Sequence, residues 1–147
     1  MQLLESSGKV VVNKSKERIV LDTSPEILDY YHWFIRRRFW IELQKPLHGS
    51  HITISFHKYN KDIDWQRASY YDGETLPFKY DVEVVRGGYT KGFIMFYLKV
   101  YSEELDAFKR DVGIIDDFGY KGLHLTLGNT KSGVRLWWPE MITIDKN

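Results

Sequence analysis

The chain contains no cysteine, which excludes disulfide frameworks, thiolate zinc sites, iron–sulfur clusters and thiol nucleophiles together. It also lacks an excess of either charge: 21 Lys and Arg stand against 20 Asp and Glu, a formal net charge of +1. That balance gives none of the strong basic field with which proteins coat duplexes, so no long nucleic acid is expected as a partner; a short charged ligand remains compatible. No uncharged apolar run approaches the ~18 residues of a membrane helix. Residues 1–9 show no basic segment followed by an apolar one. These absences predict no membrane partner and fit a reducing cytoplasm.

What is present is the composition of a folded chain. Of 147 residues, 43% are hydrophobic and 28% charged, spread along the length without low-complexity segments or a flexible linker, so a single domain over residues 1–147 is expected. Residues 9–12 and 18–21, rich in Val and Ile and separated by a polar stretch, read as two strands and a turn. A helix follows, with Thr23 or Ser24 as cap, Pro25 in the first turn, and Ile27, Leu28, Tyr31, Phe34, Ile35 and Phe39 recurring at three and four. Arg36, Arg37 and Arg38 near its end read as a solvated last turn that complements the helix dipole, in preference to an anion site.

Strands are expected at 40–43 and 50–56, a long loop at 57–76, and two strands at 78–85 and 93–101 joined through 86–92. Ser102 caps a short helix that Gly113 stops. Strands at 123–127 and 134–138, around a turn at 128–133, complete an α+β pattern.

Two segments repeat one pattern: His51-Ile52-Thr53-Ile54 and His124-Leu125-Thr126-Leu127, each with a glycine two residues ahead. On a strand, alternate side chains share a face, so each His and Thr point one way while the aliphatic residues point to a core. Two such strands brought together would present two imidazoles and two hydroxyls to one cleft. That set suits a phosphodiester, whose cleavage needs one proton removed from the attacking oxygen and another delivered to the leaving oxygen. Imidazole titrates near neutral pH and serves both roles, and the hydroxyls can donate to phosphate oxygens. The scheme needs no metal and no cofactor.

In these two motifs the chain resembles the 2H phosphoesterase (LigT-like) superfamily, defined by two H-x-[ST] motifs on strands of a duplicated, bilobal α+β fold. The resemblance implies antiparallel sheets with a helix packed on each lobe around a central cleft. It also implies His51 with Thr53, and His124 with Thr126, as catalytic halves. In length and in the context Pro46-Leu47-His48-Gly49-Ser50-His51, the chain is most similar to the phage anti-CBASS phosphodiesterases. These implied relatives destroy cyclic-oligonucleotide second messengers, which would act in the cytoplasm of an infected bacterium. The opening stretch departs from the extended apolar strand of the RNA-processing members, so a 2′,3′-cyclic phosphodiesterase acting on RNA ends stands as the alternative. A nucleotide-binding module without catalysis stands as a second.

A nucleotide ligand wants aromatic faces and cations. Trp65, Tyr70 and Tyr120 in expected loops, with Lys45 and Lys121 ahead of the two motifs, are the candidate substrate-binding residues; Tyr71 and Tyr89 also fall in loops. His48 reads as a loop residue near the cleft and His32 as structural. His57 shares the parity of His51, but without a carboxylate at fixed spacing the three histidines make a weak zinc pattern.

Overall fold

Val10, Ile19 and Leu21 are fully buried whereas Lys9, Val11 and Asp22 are exposed, the alternation of strands with one face on a core, interrupted where the register shifts beside the also buried Val20. The computed structural model describes residues 1–56, 62–90, 93–115, 122–131 and 143–144. Its elements are β1 (Leu3–Asn13), β2 (Arg18–Thr23), α1 (Pro25–Phe39), β3 (His51–Phe56), α2 (Trp65–Ser69), β4 (Thr75–Asp81), β5 (Val85–Thr90), β6 (Phe93–Tyr101), α3 (Glu103–Val112), β7 (His124–Lys131) and β8 (Thr143–Ile144).

The strands form one sheet in the order β4-β1-β2-β3-β7-β6-β5-β8. Its pairings are antiparallel except β5 with β8. The sheet curls far enough for β4 to pair also with β6, through Lys79 with Tyr101 and Tyr80 with Val100. Two strand–helix–strand units meet at its centre: β2-α1-β3 and β6-α3-β7, joined edge to edge by β3 and β7. Leu28, Ile35 and Phe39 of α1 and Leu105, Phe108 and Val112 of α3 pack into one core with Ile52, Ile54, Leu98, Leu125 and Leu127. Both helices therefore serve the same apolar face of the sheet, which leaves the other face of β3 and β7 outside that core.

The helix ends follow the expected local chemistry. The Ser24 hydroxyl accepts from the Glu26 N–H, and Pro25 occupies the first turn of α1. Ser102 caps α3 by accepting the Leu105 N–H at 3.0 Å while donating to the Pro77 carbonyl at 2.7 Å, so the cap also ties α3 to β4. Gly113 takes the left-handed conformation at the other end. Alanine at Ser102 strands both backbone groups in a buried position, and a loss of about 1–2 kcal/mol is expected in urea unfolding.

Several expected boundaries move. Residues 40–43 form no strand: Trp40 ends α1 in the left-handed region, and only Gln44 bridges to Asn129. The expected loop contains α2, whose Asp64 side chain accepts the Arg67 N–H. The expected strand 78–85 divides, because the Asp81 carboxylate accepts the Glu83 N–H and turns the chain. β5 then occupies much of the anticipated hairpin connection. β7 runs through Lys131 where a turn was expected, because β6 pairs along its whole length and Gln44 joins at Asn129. One continuous sheet takes the place of separate sheets. The strand expected at 134–138 lies outside the described residues.

Candidate active site

Ile52 and Ile54 of β3 and Leu125 and Leu127 of β7 are fully buried. His51, Thr53, His124 and Thr126 occupy the alternate positions and are partly exposed. β3 and β7 are antiparallel with Ile52 opposite Leu125. One step in either direction sets His51 across from Thr126 and Thr53 across from His124. The two motifs are thus related by a local twofold. The imidazoles are diagonal neighbours, a relation that puts Cα atoms about 7–8 Å apart.

Each imidazole is oriented in the same way. His51 Nδ1 lies 2.9 Å from the carbonyl of Gly49, and His124 Nδ1 lies 2.9 Å from the carbonyl of Gly122. A carbonyl only accepts, so each Nδ1–H donates and Nε2 becomes the lone-pair nitrogen in both rings. Gly49 and Gly122 have φ of 71° and 59°, and an added Cβ would meet nothing within 4 Å at either. Glycine is wanted there for backbone freedom alone, to turn the carbonyl back onto the ring two residues on.

Burial pushes the His51 pKa below its ordinary value. The hydrogen bond to Gly49 opposes this, Arg18 and the neighbouring His48 push it down further, and Asp22 pushes it up. The His48 ring centroid is 6.3 Å from that of His51. His51 is therefore biased towards the neutral form that accepts a proton.

Register across β6 adds residues that the motif pattern alone does not reveal. Tyr97 is opposite Thr126 and Lys99 is opposite His124, so both share the histidine face. The buried Tyr97 ring packs edgewise on His124 at 5.3 Å. On β2, Asp22 is opposite His51. The alternation along 95–101 suggests that Met95, Tyr97, Lys99 and Tyr101 share a face, but not which strand would lie beside them.

The other candidates are placed elsewhere. Lys45 approaches Asp29 of α1 at 3.7 Å and is not brought to the histidines. Trp65 opens α2 and packs partly into the core, and Tyr70 ends α2 exposed on the surface. Tyr71 donates to Asp111, which also pairs with Arg67, and so ties α2 to α3. His32 meets the Leu127 carbonyl through Nε2 and holds α1 against β7, a structural role. Tyr120, Lys121 and His57 lie outside the described residues, as does the side chain of Tyr89. Among the described residues no three His, Asp or Glu side chains group as a metal site. No described helix is long and apolar enough to cross a membrane.

No family model, curated protein or solved structure matches the chain.

Proposed function

We propose that the chain is a two-histidine phosphodiesterase that cleaves 3′,5′ linkages of cyclic di- and oligonucleotides, with the fold organisation of the 2H phosphoesterases. The observation that carries this reading is the cross-strand pairing of the two motifs, each imidazole held through Nδ1 by a glycine carbonyl. The two strand–helix–strand units that meet at β3 and β7 within one continuous sheet support that reading. The phage anti-CBASS role belongs to the same proposal, as does action in the host cytoplasm.

His51, biased to the neutral form, takes the proton of a ribose 2′-hydroxyl. The 2′-oxygen attacks the adjacent phosphorus, and the bond to the 5′-oxygen breaks. His124, held protonated by the bound phosphate, gives its proton to that leaving oxygen. Thr53 and Thr126 donate to the non-bridging oxygens, where charge builds up. The product end is a 2′,3′-cyclic phosphate. Water then opens it by the reverse proton transfers, giving a phosphomonoester. Lys99, on the same face, adds positive charge towards the anion.

Incubation with 3′,5′-cyclic di- and trinucleotides and a 2′,3′-cyclic mononucleotide, in EDTA, tests the reading. Linearised products from the cyclic oligonucleotides are expected. Cleavage of the 2′,3′-cyclic compound alone would move the substrate to RNA ends, and binding without cleavage would make the chain a capture module. The rate profile should be bell-shaped. Its rising limb should fall below pH 6.5, the unperturbed imidazole value, because lowering the His51 pKa keeps the base neutral in more acidic solution. A flat profile from about pH 5 to 9 would count against paired acid–base work.

A further inference from the structure

The exposed side of α1 carries a second cluster that the histidine chemistry does not use. Trp33, Arg36, Arg37 and Trp40 line one surface groove. Trp40 is 91% exposed and Trp33 50%. Trp40 is also one of two non-glycine residues with positive φ among the described residues, at 61°. A left-handed helix end favours glycine or asparagine, and a bulky side chain there is strained. Neither backbone preference nor burial accounts for an indole at this position. A role on the surface accounts for it.

The guanidinium groups of Arg36 and Arg37, both exposed, also stand without an ion-pair partner among the described residues. Among the described residues no carboxylate lines this groove; Asp29, engaged by Lys45, and Glu42 line the adjoining one with Trp33 and Arg36. The helix dipole explains a positive charge at this end, but not the indoles that flank it. Trp33 and Trp40 stand two helical turns apart, about 10 Å along the axis, with the arginines between them.

We infer that this face of α1 binds single-stranded oligonucleotide, Trp33 and Trp40 stacking on bases and Arg36 and Arg37 pairing with the intervening phosphates. Alternation of rings and cations matches alternation of bases and phosphates, and a duplex would hide the base faces. A bilayer is a poorer match, because guanidinium groups between the rings would be carried down with the indoles. The overall charge of +1 rules out wide electrostatic coating but leaves room for a local contact of two phosphates. α1 packs on the apolar face of the sheet, away from the histidine face, so the inference does not depend on the proposed catalysis.

The test is fluorescence anisotropy of a labelled oligothymidylate of about ten residues, which lacks the 2′-hydroxyl and is not consumed. The salt concentration is about 50 mM and upwards. Saturable binding is expected, weakened about tenfold or more by W33A or by W40A. The double variant R36Q/R37Q should flatten the salt dependence by about 1.4 in logarithmic slope. W40G should raise Tm by about 2–4 °C while losing affinity, because it relieves the positive φ. A merely structural indole would instead lower Tm. T53V/T126V, which alters the histidine face, should not abolish this binding.

The inference is overturned if no binding is seen to about 100 μM, weaker than ordinary non-specific association. It is equally overturned if both tryptophan variants bind as the parent does, or if T53V/T126V abolishes binding and so assigns the strand to the histidine face. Trp40-dependent capture by anionic vesicles without oligonucleotide binding would assign the face to a membrane surface and also overturn it.

Discussion

On the proposed reading, alanine at His51 is expected to lower turnover of a cyclic oligonucleotide by ~10²–10⁴-fold, and alanine at His124 to do the same, the range for loss of a positioned acid or base. Both rings are partly exposed on the face away from the core, so neither loss opens a cavity and Tm stays near the parent value. Each substitution releases one glycine carbonyl, at Gly49 or Gly122. The double variant is hardly slower than either single one, because proton removal and proton delivery serve one transition state and their losses do not add. Valine at Thr53 or Thr126 costs less, about tenfold, since each removes one donor to phosphate while the acid–base pair stays intact. Single-turnover product formation measures all of these. Either histidine variant retaining half of the parent rate would remove the pair from catalysis.

Alanine at Gly128 destabilises the fold by roughly 3 kcal/mol, a Tm lower by about 10 °C. Gly128 has φ of 149°, a region that side chains rarely enter. A Cβ built there would fall 2.4 Å from the Gln44 carbonyl oxygen and 3.1 Å from Leu43 Cβ. The carbonyl cannot retreat freely, because it accepts the Asn129 N–H at 3.2 Å while the Gln44 N–H donates to Asn129 at 2.9 Å. Gly73 is the control. Its φ of 86° is equally glycine-like, but nothing lies within 4 Å, so alanine there carries the conformational cost alone, about 1 kcal/mol. Urea unfolding of the two variants separates clash from strain. Equal losses would show that the Gln44 contact yields easily. Gly128 lies two residues beyond Thr126, so the variant should also lower activity through displacement of β7.

Much of the local structure was legible in the chain. A cap at Thr23 or Ser24, which the structure assigns to Ser24, Ser102 as the cap of α3, Gly113 as a stop, and the alternation that turns Ile52, Ile54, Leu125 and Leu127 inwards each depend on a few neighbouring residues. The glycine two places before each histidine was visible too, and it is the residue whose positive φ brings the carbonyl onto Nδ1. Failures of the reading fall where local signals are weak or overruled. Trp40 gives a β-like impression in a sequence of aromatic and aliphatic residues, yet it ends a helix. Gly128 and Asn129 look like a turn, yet neighbours on both sides hold them in a strand.

By itself the sequence determined the α+β pattern, the absence of thiol chemistry and the parity that sets His51 and Thr53, like His124 and Thr126, apart from the core. Those properties follow from side-chain period and backbone preference, which act within a turn or a strand. Tertiary structure alone decided that β3 and β7 are neighbours in a register that crosses each histidine with the other motif's threonine. It also decided that Tyr97 and Lys99 join that face and that Lys45 turns to Asp29. Register is chosen by burying the apolar face of the whole sheet at once, and no window of a few residues contains that choice.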